Sequence, residues 1–110
     1  MTIELKIEDI KIGTGQEVKA GDTVIMDYLG TLEDGSKFDS SYDRGVPFDT
    51  KIGVGRVIQG WDKGVPGMKV GGTRRLFIPA AQAYGANSPS PDIPANAPLI
   101  FDVVLIKVGK

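Results

Sequence analysis

The sequence predicts an α+β domain, a twisted antiparallel β-sheet of about five strands wrapped around one short α-helix. Three observations predict it. Glycine and proline are frequent, 15 and 7 of the 110 residues, yet they fall between short apolar runs instead of in one biased block. That is the spacing of a turn-rich β domain. Several of the runs alternate apolar and polar residues, the period of a strand. One segment, 58–65, has helical period instead, with Ile58, Trp61 and Val65 at i, i+3 and i+7. No repeat or boundary interrupts the pattern, and the length suits one core, so 1–110 reads as a single domain.

Taken in order, Ile3, Leu5 and Ile7 alternate with polar residues and predict a half-buried first strand, whose apolar series Ile10 and Ile12 extend. Turns follow at Gly13-Thr14-Gly15 and at Lys19-Ala20-Gly21-Asp22. Residues 23–32 predict a second strand with Val24, Met26, Tyr28 and Leu32 on one face. Glu33-Asp34-Gly35-Ser36 then signals a hairpin, because Asp-Gly accepts the positive φ angles of a tight turn. Residues 38–47 read as a polar loop and 48–54 as a further strand. Within 58–65, Gly60 and Gly64 each cost about 1 kcal/mol relative to alanine, so packing must hold that helix. Pro66-Gly67 ends it. Residues 73–79 predict a strand. Residues 80–98, with Pro89, Pro91, Pro94 and Pro98, form a long loop, a feature more often functional than idle in a compact domain. The last strand is 99–108. Leu99, Phe101, Val103 and Leu105 mark one face and Ile100, Val104, Ile106 and Val108 the other, which predicts burial on both sides.

Composition excludes much chemistry. The chain has no histidine, which removes the commonest general base near neutral pH and the commonest metal ligand. It has no cysteine, hence no disulfide and no thiolate metal site. No acidic loop of calcium-binding type appears. Thirteen basic residues stand against 14 acidic ones, a net charge of −1, which argues against nucleic acid as a partner. Lys69, Arg74 and Arg75 are the one tight basic group and read as a solvated strand end. No apolar run approaches the ~20 residues that span a bilayer, and the first residues lack a signal-type apolar core. The expectation is a soluble, cytoplasmic chain without a membrane partner.

Motif-like strings fail on inspection. Gly53-Val54-Gly55 lacks the third glycine of a dinucleotide fingerprint, and 67–73 lacks the Gly-Lys-Ser/Thr ending of a phosphate loop. Ser40 and Ser41 have no histidine to activate them. Asp39 and Asp43 could pair as glycosidase carboxylates, but 14 acids in so short a chain make such pairs common by chance. Aromatic residues remain. Tyr28, Phe38, Phe48, Trp61, Tyr84 and Phe101 come from different elements. One reading is a plain aromatic core. The other is an enclosing site, because buried tyrosine hydroxyls need partners, and Phe38 and Tyr84 flank polar loops, where residues more often bind than pack.

Several blocks in this order and spacing resemble the FKBP family of peptidyl-prolyl cis–trans isomerases, the macrolide-binding immunophilins. They are Leu32-Glu-Asp-Gly-Ser-Lys-Phe-Asp-Ser-Ser41, Val57-Ile-Gln-Gly-Trp-Asp62, Gly67-Met-Lys-Val-Gly71, Ala83-Tyr-Gly85, Ile93-Pro94 and Leu99-Ile-Phe-Asp-Val103. The resemblance implies a pocket with Trp61 as its floor and Tyr28, Phe38, Phe48, Val57, Ile58, Ile93 and Phe101 as its walls. Tyr84 would stand at the rim, and Asp39 and Arg44 would form a polar pair beside it. It implies that the Ile58 backbone N–H and the Tyr84 hydroxyl donate to a substrate, and that Tyr84, Asp39, Ile58 and Phe38 carry catalysis. It implies no cofactor and no metal. The partners would be proline-containing peptides, folding polypeptides and macrolides of the tacrolimus or rapamycin type, met by a monomer. Asn87-Ser-Pro-Ser-Pro-Asp92 is more polar than this loop often is in the family, and bears on substrate preference and macrolide affinity. The alternative is a non-catalytic module that binds Pro-peptides or a macrolide.

Overall fold

The computed structural model describes residues 5–87, 89 and 91–109. Ile3, expected in the first strand, and Ser88 and Ser90 of the polar loop lie outside them. Two ten-residue strands, β2 (Thr23–Leu32) and β6 (Leu99–Val108), pair antiparallel along their whole length and form the middle of a six-stranded sheet. Beyond β6 lie β5 (Thr73–Ile78) and then β1 (Lys6–Lys11), both antiparallel to their neighbours. The other edge of β2 is shared. Its Leu29–Thr31 segment pairs with β3 (Lys37–Ser40), and Thr23–Met26 pairs with β4 (Phe48–Lys51).

Between β3 and β4 the chain turns through a short helix, α1 (Ser41–Arg44). The turn leaves a gap in the ladder opposite Tyr28. Ser41 fills it: the Tyr28 amide donates to Ser41 Oγ at 2.9 Å, and that hydroxyl donates to Asp27 Oδ1 at 2.7 Å. Both sides of a buried junction are thus satisfied, as buried amides require.

The second helix, α2 (Gln59–Gly64), lies against β5. Its two glycines are the reason it can. A Cβ on Gly60 would stand 2.5 Å from Ile78 and one on Gly64 would stand 2.8 Å from Leu76. The propensity lost there is offset by close packing. Trp61 and Val65 face inward onto Val24, Met26, Leu76, Ile78, Phe101 and Leu105, all buried. Burying side chains of this size stabilises by about 1.5–3 kcal/mol each.

Several expectations change. The sheet has six strands. The segment 38–47 is not a loop but contains β3 and α1. Ser40 caps α1 by accepting from the Tyr42 amide, and Gly45, at φ +69°, closes it; both signals are visible in the sequence. The strand expected over 48–54 stops at Lys51, because Gly53 and Gly55 take φ near +80° and turn the chain toward α2. The loop 80–98 opens with one turn of 3₁₀ helix, Ala80–Gln82. The hairpin after β2 does carry Gly35 at φ +90°, although Asp34 keeps negative φ; Asp34 Oδ1 instead accepts from the Ser36 amide. β1 is exposed at every residue, not half-buried, because it is an edge strand and shifts register between Asp9 and Lys11. β6 is paired on both edges, but only its Leu99, Phe101, Val103 and Leu105 face is buried. α2 covers one side of the sheet, and among the described residues no element covers the other. Within the basic group Lys69 is exposed, as expected, but Arg74 binds Asp9 and the carbonyls of Gly64 and Pro66, and Arg75 binds Asp102.

Candidate active site

A cavity of about 410 Å³ opens where α2, β2 and β6 meet. Its base is Trp61, set on the first turn of α2. Three rings meet the indole edge to face. The centroid of Tyr28 lies 5.0 Å away, that of Phe101 5.0 Å and that of Phe48 5.7 Å, at interplanar angles of 74°, 82° and 68°. Edge-to-face pairs add about 0.5–1.5 kcal/mol each beyond burial. Three of them on one indole hold the base in a single orientation. Each ring comes from a different strand: Tyr28 from β2, Phe48 from β4 and Phe101 from β6.

The opposite wall is the loop between β4 and α2, which contributes Gly55, Arg56, Val57 and Ile58. Asp62, in the first turn of α2, holds this loop. Its two carboxylate oxygens accept from the amides of Gly53 at 2.7 Å and Gly55 at 2.9 Å. Ile58 precedes α2, and its carbonyl accepts from the Trp61 and Asp62 amides. Its own amide has no acceptor among the described residues. Tyr84 closes the mouth and is 37% exposed.

One polar network borders the rings. The Tyr28 hydroxyl donates to Asp39 Oδ2 at 2.7 Å, and Arg44 donates to Asp39 Oδ1 at 2.6 Å and to the Tyr28 hydroxyl oxygen. The Ser40 amide also donates to Asp39 Oδ1, at 2.8 Å. Burial alone would raise the Asp39 pKa, but the hydrogen bonds from Tyr28 and Arg44 and the guanidinium charge outweigh it and hold the carboxyl below its ordinary range. Burial, then the hydrogen bond to Asp39, raises the Tyr28 hydroxyl. Burial, then the charge of Asp39, raises Tyr84. Around neutral pH the network is therefore fixed as carboxylate, guanidinium and protonated phenol, and Tyr84 beside it is protonated as well.

The structure gathers Tyr28, Asp39, Phe48, Val57, Ile58, Trp61, Tyr84 and Phe101 around the cavity. Three further residues stand off its lining. Phe38 packs edge to face on Phe101 at 5.4 Å and 88°, behind the ring that forms the wall. Arg44 reaches the site through Asp39 and Tyr28. Ile93 is buried in the core. Two lining residues, Gly55 and Arg56, escaped sequence reasoning. The signal that could have found Gly55 is the acidic Asp62 following the glycine-rich 53–55 turn, since a helix-start carboxylate seeks free amides.

Such a cavity has no base of intermediate pKa and no nucleophile beside one. It defines a class of site that works by enclosure and by hydrogen-bond donation. A family model described as FKBP-type peptidyl-prolyl cis-trans isomerase matches residues 14–106, and the chain belongs to that family. It is 54% identical over 111 residues to "FK506-binding protein 1" of Candida glabrata, covering 98% of this chain and 97% of the relative. It is 53% identical over 104 residues to "FK506-binding protein 4" of Aspergillus fumigatus, covering 94% of this chain but 21% of that longer protein. The crystal structure of AtFKBP13 superposes with a TM-score of 0.85 at 41% identity, covering 94% of this chain and 91% of the other.

Proposed function

We propose that this chain accelerates rotation about X–Pro bonds by enclosing the proline among Tyr28, Phe48, Trp61 and Phe101. Rotation meets a barrier of roughly 18–20 kcal/mol because the amide loses resonance when twisted, and uncatalysed exchange takes tens to hundreds of seconds. No bond breaks, so no nucleophile or metal is needed. The twisted amide has less charge separation than the planar one, so an apolar enclosure favours it over the ground state. Donors that fit the twisted carbonyl add binding absent from the ground state. In this reading the Ile58 amide and the Tyr84 hydroxyl are the donors, and Asp39 with Arg44 keeps Tyr28 in position. Reaching milliseconds needs about a 10⁴-fold gain, or roughly 5–6 kcal/mol. The observation that carries this reading is the open cavity whose base is an indole clamped by three rings.

The same enclosure suits an apolar macrolide of the tacrolimus or rapamycin type, which would compete with peptide. The reading extends to a monomer acting on peptides and folding polypeptides. The test is exchange of prolyl peptides with and without macrolide. Catalysed exchange that macrolide abolishes is expected. Exchange unaffected by the chain, or undiminished in Phe48→Ala, would refute the site.

A further inference from the structure

Two charged residues, Asp39 and Arg56, line the cavity, and they are not in the same condition. Asp39 is spent: its oxygens accept from Tyr28, Arg44 and the Ser40 amide. Arg56 is exposed and forms no ion pair among the described residues. Its backbone is nonetheless well placed. The Gly55 amide before it is bound by Asp62, and Val57 and Ile58 after it are partly buried against the core. Asp62 is itself engaged by two amides and makes no ion pair with Arg56. An arginine with no ion pair among the described residues therefore stands at the lip of the cavity, on a loop held at both ends.

We propose that Arg56 is a specificity-determining residue, selecting prolyl peptides that carry an acidic residue beside the bound X–Pro pair. This deepens the isomerase reading and rests on it. The chain as a whole carries a net charge of −1, so its overall field does not attract an acidic peptide. A preference for acidic neighbours must then be local, and one substitution must remove it. The pairing is solvent-exposed, so it should be modest and should weaken with salt.

The experiment uses pentapeptides with Leu-Pro at the centre and Glu, Gln or Lys placed in turn at the position before that pair and at the two positions after it. Exchange NMR reads isomerisation without a coupling protease. Expected at low ionic strength is an order of Glu over Gln over Lys in at least one position, each step about two- to fivefold in kcat/KM, the range an exposed ion pair supports. High salt should flatten the order, Arg56→Gln should erase it and Arg56→Glu should invert it. Lys107→Gln, an exposed charge outside the cavity lining, should leave it intact. Equal rates for the Glu and Gln peptides, or an order that survives Arg56→Gln, would overturn the proposal. No acceleration of any peptide would instead refute the isomerase reading. In that event the same peptides titrated against Trp61 fluorescence still decide the role of Arg56, a Glu preference lost in Arg56→Gln sustaining it and equal affinities ending it.

Discussion

The interior has two halves that differ in how they are filled. Around Val65, the side chains of Val24, Met26, Leu76 and Leu105 are fully buried. Around Trp61, on the preceding turn of the same helix, four rings border an opening of about 410 Å³. Aliphatic chains interdigitate and close on one another, to the density of an organic solid. Rings locked edge to face cannot slide into the gap between them without losing their mutual geometry. A single short helix thus seals the core with one end and holds a cavity open with the other.

Four measurements probe that contrast, from the largest expected effect to the smallest. Leu76→Ala in the sealed half should cost about 2–5 kcal/mol of stability, read from denaturant melts, while kcat/KM at a temperature where the variant is folded stays near that of the parent. A loss of turnover as large as in a cavity variant would dissolve the distinction. Asp62→Ala should free the loop that forms the far wall. We expect about 1–3 kcal/mol of lost stability from the two carboxylate-bound amides, together with faster hydrogen exchange at Gly53 and Gly55; unchanged exchange there would show that other contacts hold the wall. Tyr84→Phe removes one hydroxyl at the mouth. The melt should not move, and turnover should fall about three- to tenfold, the worth of one hydrogen bond of about 0.5–1.5 kcal/mol. No loss would remove Tyr84 from the proposed donors.

The smallest effect is with pH. The raised Tyr28 and Tyr84 hydroxyls stay protonated, and the lowered Asp39 stays ionised. No cavity group then changes charge over the range of about pH 6 to 9, and turnover should be flat there. Because the folded Asp39 lies below its unfolded value, its contribution to stability is complete above the ordinary carboxylate range and is lost as pH falls through the lowered value. A sloping profile between 6 and 9 would point to a titrating group the mechanism does not contain.

How much could be read from residues alone follows the range of the forces involved. The bounds of β2 and β6, and the helix to within a residue at either end, were legible because alternation and helical period are local. The segment 38–47 was misread although Ser40 and Gly45 announce the ends of α1, because one turn is too short to display a period. The half-buried rear face of β6 was also unreadable. Ile100 and Val104 look like core residues until it is known that α2 covers the other side. Most of the cavity was legible through a resemblance spanning nearly the whole chain. Arg56 was not, because nothing about a lone cation in a glycine-rich turn says which surface it borders.

Sequence by itself determined the local elements, the absence of histidine and thiol chemistry, and the set of rings available for a site. Those depend on the covalent make-up of the chain and on neighbours a few positions apart. Tertiary structure alone decided that Tyr28, Phe48 and Phe101 surround one indole without closing over it. It alone joined Asp39 to Arg44 and the Tyr28 hydroxyl, and left Arg56 without an ion pair among the described residues at the lip. These are relations between strands distant along the chain, and they come into being only when the sheet brings the strands side by side.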